Sequence, residues 1–434
     1  MALKALATAA QVQSILRTNS IMVEVDGSIR RITLDKLIDS INSGDTSLLR
    51  SVAWGVPIKQ AQQSSPAWGR EGNLDMWKLF KEQCGRYLVK NNGHAAKLSK
   101  TNSGVYADGT PLDESIGHVL FHAPRLYFRV ITDAVSSIPY LWMSLIPIGG
   151  HFIEEANIGA YKGSMSGSAL TSRSGATIAG SKTITDFWNA AQVNGKDWGI
   201  INYQHKQLMI MLLLSEYGNP NAQAMVGEGL TGTNNSSDYT TPLAFPIGQT
   251  KSLGDAFGAK SHPWTTSGGV AVQNASDVSI LGIENPYAQQ WEFTQGIYCG
   301  SANNAGQDGS EVFIYEGNRL PSSAELASHP TGDYRQLSRI TSPGFMQSVI
   351  LGEFFDIITA AHGGGGTSYW TDYHYANNIG QVVFWGGNAF DGASCGLGYA
   401  GSYNGWSNSH SSLGSRLAYY GKLTVMSGAQ LVAE

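Results

Sequence analysis

From Gly363 to Gly421 the chain carries fourteen glycines and twelve aromatic residues but only three ionised side chains, Asp372, Asp391 and Arg416. Its centre reads Phe384-Trp385-Gly386-Gly387-Asn388-Ala389-Phe390-Asp391-Gly392-Ala393-Ser394-Cys395-Gly396-Leu397-Gly398-Tyr399, and it closes on Ser412-Leu413-Gly414-Ser415-Arg416-Leu417. So little aliphatic content beside so much Gly, Asn and Ser reads neither as a helix nor as a repetitive sheet. Tyr and Trp give large contact area at low entropic cost, while Ser, Gly and Asn adapt their hydrogen bonds. The tract has the composition of a binding loop, and the expectation is a recognition surface.

The totals narrow the class. Charged residues are 14% of the 434, well under the roughly 25% of an ordinary soluble protein. Hydrophobic content is ordinary, so a core can form beneath a polar but weakly charged surface, as suits an extracellular or virion protein. A net charge of -5 without a Lys/Arg cluster argues against nucleic acid, which demands concentrated positive charge. Met1-Ala2-Leu3-Lys4 opens no secretory signal. The longest apolar run, Leu208 to Leu214, is far short of the roughly 18 residues of a membrane span, so no membrane insertion is expected. Cys84, Cys299 and Cys395 are too scattered for a disulfide framework or a paired zinc motif and read as buried free thiols.

Two regions follow from the pattern. Residues 1–50 read as a small module for virion attachment or oligomerisation. It begins with an Ala/Leu/Gln-rich helix from Ala2 to Thr18, and a hairpin follows around Asp26-Gly27. A helix capped by Thr33 completes it, with Leu34, Leu37, Ile38 and Ile41 on one stripe. So small a unit cannot bury enough surface alone, which leaves self-association, docking to a partner, or packing as a cap on the rest of the chain. Residues 51–434 read as one domain of short strands and long polar loops with two solid helices, Thr185 to Gln192 and Asn202 to Tyr217. The second is apolar all round over Leu208–Leu214 and should be buried on nearly every side. Gly229 to Gly269 reads as an irregular excursion with few core anchors.

Several stretches resemble a known group of proteins. Ser64-Ser65-Pro66-Ala67-Trp68-Gly69-Arg70-Glu71-Gly72-Asn73 and Phe121-His122-Ala123-Pro124-Arg125-Leu126-Tyr127-Phe128-Arg129-Val130 look like the opening of gut-bacteriophage and prophage proteins. Ile158-Gly159-Ala160-Tyr161-Lys162-Gly163-Ser164 and Glu216-Tyr217-Gly218 continue the match. The most specific landmark is Gly282-Ile283-Glu284-Asn285-Pro286-Tyr287, followed by Trp291-Glu292-Phe293; the last runs from Phe384-Trp385-Gly386-Gly387 to Gly414-Ser415-Arg416-Leu417. Together, over roughly residues 60–434, they resemble the C-type-lectin-fold proteins built on the formylglycine-generating-enzyme scaffold. That scaffold includes phage and bacterial variable proteins diversified by retroelements.

The resemblance implies an α+β C-type lectin fold with long loop insertions and ligand contacts on the C-terminal segment, residues 363–421. Trp291, Trp385, Gly386, Gly387 and Arg416 would be scaffold. The contact candidates between them are Asn388, Phe390, Asp391, Ser394, Tyr399, Ser402, Tyr403, Asn404, Trp406, Asn408 and His410. The function implied is receptor binding at a phage tail fibre or tail tip, outward-facing on the virion. The partners would be a bacterial surface receptor, protein or glycan, and other tail proteins held through residues 1–50. A homotrimer is expected, as is common for phage fibres. The alternatives are a bacterial or prophage surface adhesin and a structural virion protein without a ligand.

Catalysis and metal binding fare worse. His362-Gly363-Gly364-Gly365 and Gly392-Ala393-Ser394-Cys395-Gly396 mimic a lipase oxyanion loop and nucleophile elbow. That chemistry needs an acid and then a histidine after the serine, and only His410 and Glu434 follow, in the reverse order. Formylglycine-generating oxidation uses two nearby cysteines in the C-terminal segment, where Cys395 stands alone. His118 and His122 have helical spacing but sit in a strand-like run, Asp308 and Asp333 read as solvated carboxylates, and Glu284-Asn285-Pro286 has the wrong order for a calcium-lectin loop. No enzyme, cofactor or metal is expected.

Overall fold

The computed structural model describes residues 19–434 except 26–27, 45, 61–66, 233–234, 301–309, 318, 328–329, 331, 341–342 and 377–381. The chain is α+β, with three larger sheets and one buried helix that packs against strands of two of them.

The helix is Tyr203–Tyr217. The Asn202 side chain caps it by accepting from the His205 amide at 2.9 Å, and Gly218 ends it in the left-handed region at φ 58°. Every residue from Tyr203 to Ser215 except Gln204 is buried, as the all-round apolar run requires. The shorter helix Ile184–Gln192 starts one residue before the expected point, held by a reciprocal Thr183/Asp186 capping box. A further helix, Leu74–Gln83, escaped the sequence reading. Asn73 caps it, and Met76, Trp77, Leu79 and Phe80 form its buried face.

A seven-stranded sheet runs in the order Trp198–Ile200, Leu417–Tyr419, Ala156–Gly159, His118–Ala123, Gly85–Val89, His94–Lys97 and Thr424–Met426. A five-stranded sheet pairs His151–Ile153, Leu126–Thr132, Pro139–Ser144, Trp54–Pro57 and Glu71–Gly72. The largest sheet is built on Trp291–Cys299, buried at all nine positions. One side of that strand carries Ser310–Tyr315 and Tyr334–Ile340; the other carries Val382–Trp385, Ala400–Asn404, Tyr373–Ala376, Gly344–Leu351 and Asp356–His362.

The Gly/aromatic tract is mostly loop and turn, but it supplies the short strands Tyr373–Ala376, Val382–Trp385 and Ala400–Asn404 to the largest sheet. Period-2 alternation survives in Tyr373-His374-Tyr375, where His374 is buried and Tyr375 is exposed. Glycines let neighbouring rings close over the backbone: a Cβ on Gly401 would stand 2.5 Å from the Phe384 ring.

The N-terminal region also differs from expectation. The hairpin Ser20–Val25/Ser28–Thr33 and the helix Leu34–Asn42 form as read, and Thr33 accepts from the Lys36 amide. Leu34, Leu37 and Ile41, however, are buried in the same core cluster as Trp54, Trp142 and Leu213, and Ile38 is half-buried. The stripe is satisfied within one chain, so it gives no reason for self-association. The expected helix at Ala2–Thr18 lies outside the described residues. Gly229–Gly269 likewise has more anchoring than expected: Leu230 and Trp264 share a small core with Val272 and Ala275.

Candidate binding surface

The scaffold residues form the frame of the site. Arg416 is fully buried and donates from Nη1 to the carbonyls of Gly159 and Ala160, at 2.9 and 3.2 Å. Its Nη2 donates to the carbonyls of Glu284 and Asn285, at 2.8 and 3.1 Å, and its Nε to Glu292 Oε1 at 2.9 Å. Lys162 and Lys206 close on the same Glu292 carboxylate. Burial alone would raise the Glu292 pKa, but the three cations outweigh it and hold the group well below the carboxylate range. The Glu284 side chain accepts from the Gly248 and Thr250 amides at 2.6 and 2.7 Å, pinning the 229–269 excursion to the frame.

Gly386 and Gly387 sit at φ 96° and 77°. A Cβ on Gly387 would fall 2.6 Å from Cys395 Sγ, so the pair permits the close approach expected of it.

The eleven contact candidates divide. Asn388, Tyr399 and Ser402 are 6%, 5% and 0% exposed and are corrected to scaffold. Asn388 organises a turn: its Oδ1 accepts from the Phe390 amide, its own amide donates to Asp391 Oδ2, and its carbonyl lies 3.3 Å from Cys395 Sγ. Tyr399 packs edge-on against Trp291 with centroids 4.4 Å apart, and Ser402 bonds the Tyr375 carbonyl. These polar and aromatic side chains satisfy the interior of a Gly-rich turn, a role composition alone does not separate from contact.

The rest reach the surface to different degrees. Phe390, Asp391, Ser394, Asn404 and Asn408 are half-buried. Burial pushes the Asp391 carboxyl up to about 7, against the Asn388 amide that favours its charge. Tyr403 lies between Phe384 and Tyr375, at 5.1 and 4.6 Å between centroids. Trp406 donates from Nε1 to Thr185 Oγ1 at 3.0 Å and packs near Tyr298. His410 is exposed, with Nε2 3.1 Å from the Tyr239 hydroxyl.

Tyr375 was missed. It is 40% exposed, and on strand Tyr373–Ala376 its ring meets Tyr403 on the neighbouring strand. An aromatic path thus runs from Trp291 through Phe384 and Tyr403 to Tyr375. The alternation at 373–375 was the available signal. Tyr239 and Thr185 come from distant sequence and carried none.

The hydrolase constellation is not assembled. Ser394 lies in a one-turn 3-10 helix with no strand feeding directly into it and no α-helix behind it. The amides of Gly363 and Gly364 are both bonded to the Phe345 carbonyl. Cys84, Cys299 and Cys395 are buried and joined by no disulfide, and burial pushes Cys395 well up from its ordinary value. His118 and His122 share a strand and bond Asn91 and Asn157. Among the described residues no three His, Cys, Asp or Glu side chains gather at metal-binding distance. Asp333 is exposed, and Asp308 lies outside the described residues. No protein-family model matches this sequence, and no curated protein matches it either.

Proposed function

We propose that the chain is a receptor-binding protein of a phage tail fibre or tail tip. In this reading it presents a C-type-lectin-like scaffold whose outer face carries Tyr375, Tyr403, Trp406 and His410. The observation that carries the reading is the aromatic path from buried Trp291 to exposed Tyr375. Rigid rings anchored in a core lose little entropy on binding, so they suit recognition of a varied partner. The order of the motifs, from Phe121 to Leu417, supports the phage assignment, as does the weakly charged surface.

The ligand is a bacterial surface receptor. Residues 1–50 fasten the chain to other tail proteins, and three-fold assembly rests on the likeness to phage fibres, since the buried Leu34 stripe no longer argues for it. Adsorption of the purified full chain to whole gut bacteria tests the reading, because a purely structural virion protein would bind none.

A further inference from the structure

Three asparagines in the chain precede glycine, at Asn92-Gly93, Asn194-Gly195 and Asn404-Gly405. In such a pair an asparagine can lose its side-chain amide without an enzyme. The backbone nitrogen of the next residue attacks the side-chain carbonyl carbon, and glycine has no side chain to obstruct the approach. That nitrogen must give up its proton to attack, so an amide already donating to a carbonyl resists the reaction.

The fold closes two of the three sites. Gly93 donates its amide to the Lys90 carbonyl at 2.9 Å, and Asn92 Oδ1 accepts from the His94 amide at 3.0 Å. Gly195 donates to the Gln192 carbonyl at 3.0 Å, while Asn194 is buried and donates from Nδ2 to the Leu170 and Ala191 carbonyls. Asn404 is held differently. It is the half-buried last residue of strand Ala400–Asn404, and it meets Val382 only past a register shift in the ladder with Val382–Trp385. Among the described residues nothing bonds the Asn404 side chain, and nothing accepts from the Gly405 amide. A Cβ built on Gly405 would have no other atom within 4 Å, so the chain is open on that side.

We infer that Asn404 is a site of spontaneous deamidation. The Gly405 nitrogen bonds to Asn404 Cγ, the Cγ–Nδ2 bond breaks, and Nδ2 leaves as ammonia, carrying the proton that the Gly405 nitrogen gives up. Water then opens the cyclic imide. Breaking its bond at Cγ gives aspartate, and breaking it at the main-chain carbonyl gives isoaspartate. Either product sets a carboxylate beside Tyr403, in a tract with only three ionised side chains. The consequence for attachment rests on the receptor-binding reading; the chemistry does not.

The test is peptide mapping by mass spectrometry of the full chain after incubation near neutral pH, native and in urea, beside Gly405→Ala. That variant should fold as wild type does, since Gly405 is not at positive φ and the added methyl meets nothing. In the native chain Asn404 should deamidate at least about tenfold faster than Asn92 or Asn194, where a hydrogen bond must break first. In urea the three rates should converge to within about threefold, and Gly405→Ala should slow the native reaction at Asn404 about tenfold. An Asn404 that stays intact in the native chain while it converts in urea overturns the inference. So do equal native rates at the three sites, or a Gly405→Ala chain that converts as fast as wild type.

Discussion

Arg416 and Glu292 lie side by side in the interior, Nη2 2.7 Å from Oε1, with neither side chain reaching solvent. Arg416 also holds four backbone carbonyls from two separate parts of the chain, at 159–160 and 284–285. Arg416→Ala would leave those carbonyls without this donor and Glu292 short of one cation. The expected loss is ~3–5 kcal/mol, the usual result of breaking a buried pair from one side. Chemical denaturation measures it, and a loss below about 1 kcal/mol would show that the network is not the frame of the fold.

Emptying Trp291 should be comparably severe. Its ring meets Phe384 and Tyr399, and Trp291→Ala should cost ~3–5 kcal/mol. Tyr375→Ala, at an exposed ring, should stay within about 0.5 kcal/mol of wild type. Tyr403 and Trp406 should fall between these, because one is packed on Phe384 and the other bonded to Thr185. Thermal melts of the four variants order them directly, and equal losses at Tyr375 and Trp291 would contradict the division into frame and face.

That division was only partly legible in the sequence. Arg416, Trp291 and the Gly386-Gly387 pair were placed in the scaffold through the resemblance, and in the structure both side chains are buried and both glycines have positive φ. The helix Tyr203–Tyr217 was readable from its apolar run over Leu208–Leu214, which also announced its burial. Asn388, Tyr399 and Ser402 were not, since the residue types that make a binding loop also satisfy the interior of a tight Gly-rich turn. Arg86 passed unnoticed although it is fully buried and bonds Gly282, Ser103 and Thr250, contacts that join positions far apart in sequence.

Asp391 should make stability fall as pH rises. Its folded pKa of about 7 stands above the ordinary 3.8, so the folded chain binds the proton more tightly. The stabilisation is full below 3.8 and is lost as pH rises through about 7. Asp391→Asn cannot titrate. Wild type minus variant stability should therefore drop by more than about 1 kcal/mol between about pH 4 and pH 8. Urea midpoints at the two pH values decide it, and a constant difference would mean that Asp391 titrates normally.

Residues 19–52 should behave as part of the body. Leu37 is 0% exposed and belongs to the main core cluster. Leu37→Ala should lower global stability by ~2–5 kcal/mol in a single unfolding transition. A separate early transition, with the main one unmoved, would mark an independently folding module.

The most direct test of the receptor-binding reading is adsorption of labelled full-length chain to a panel of intact gut bacterial strains, with Tyr375→Ala alongside and its melting temperature matched to wild type. Saturable binding to at least one strain, weakened about tenfold or more by Tyr375→Ala, is the result the account predicts. Equal binding by the two proteins, or binding to no strain in the panel, would contradict it.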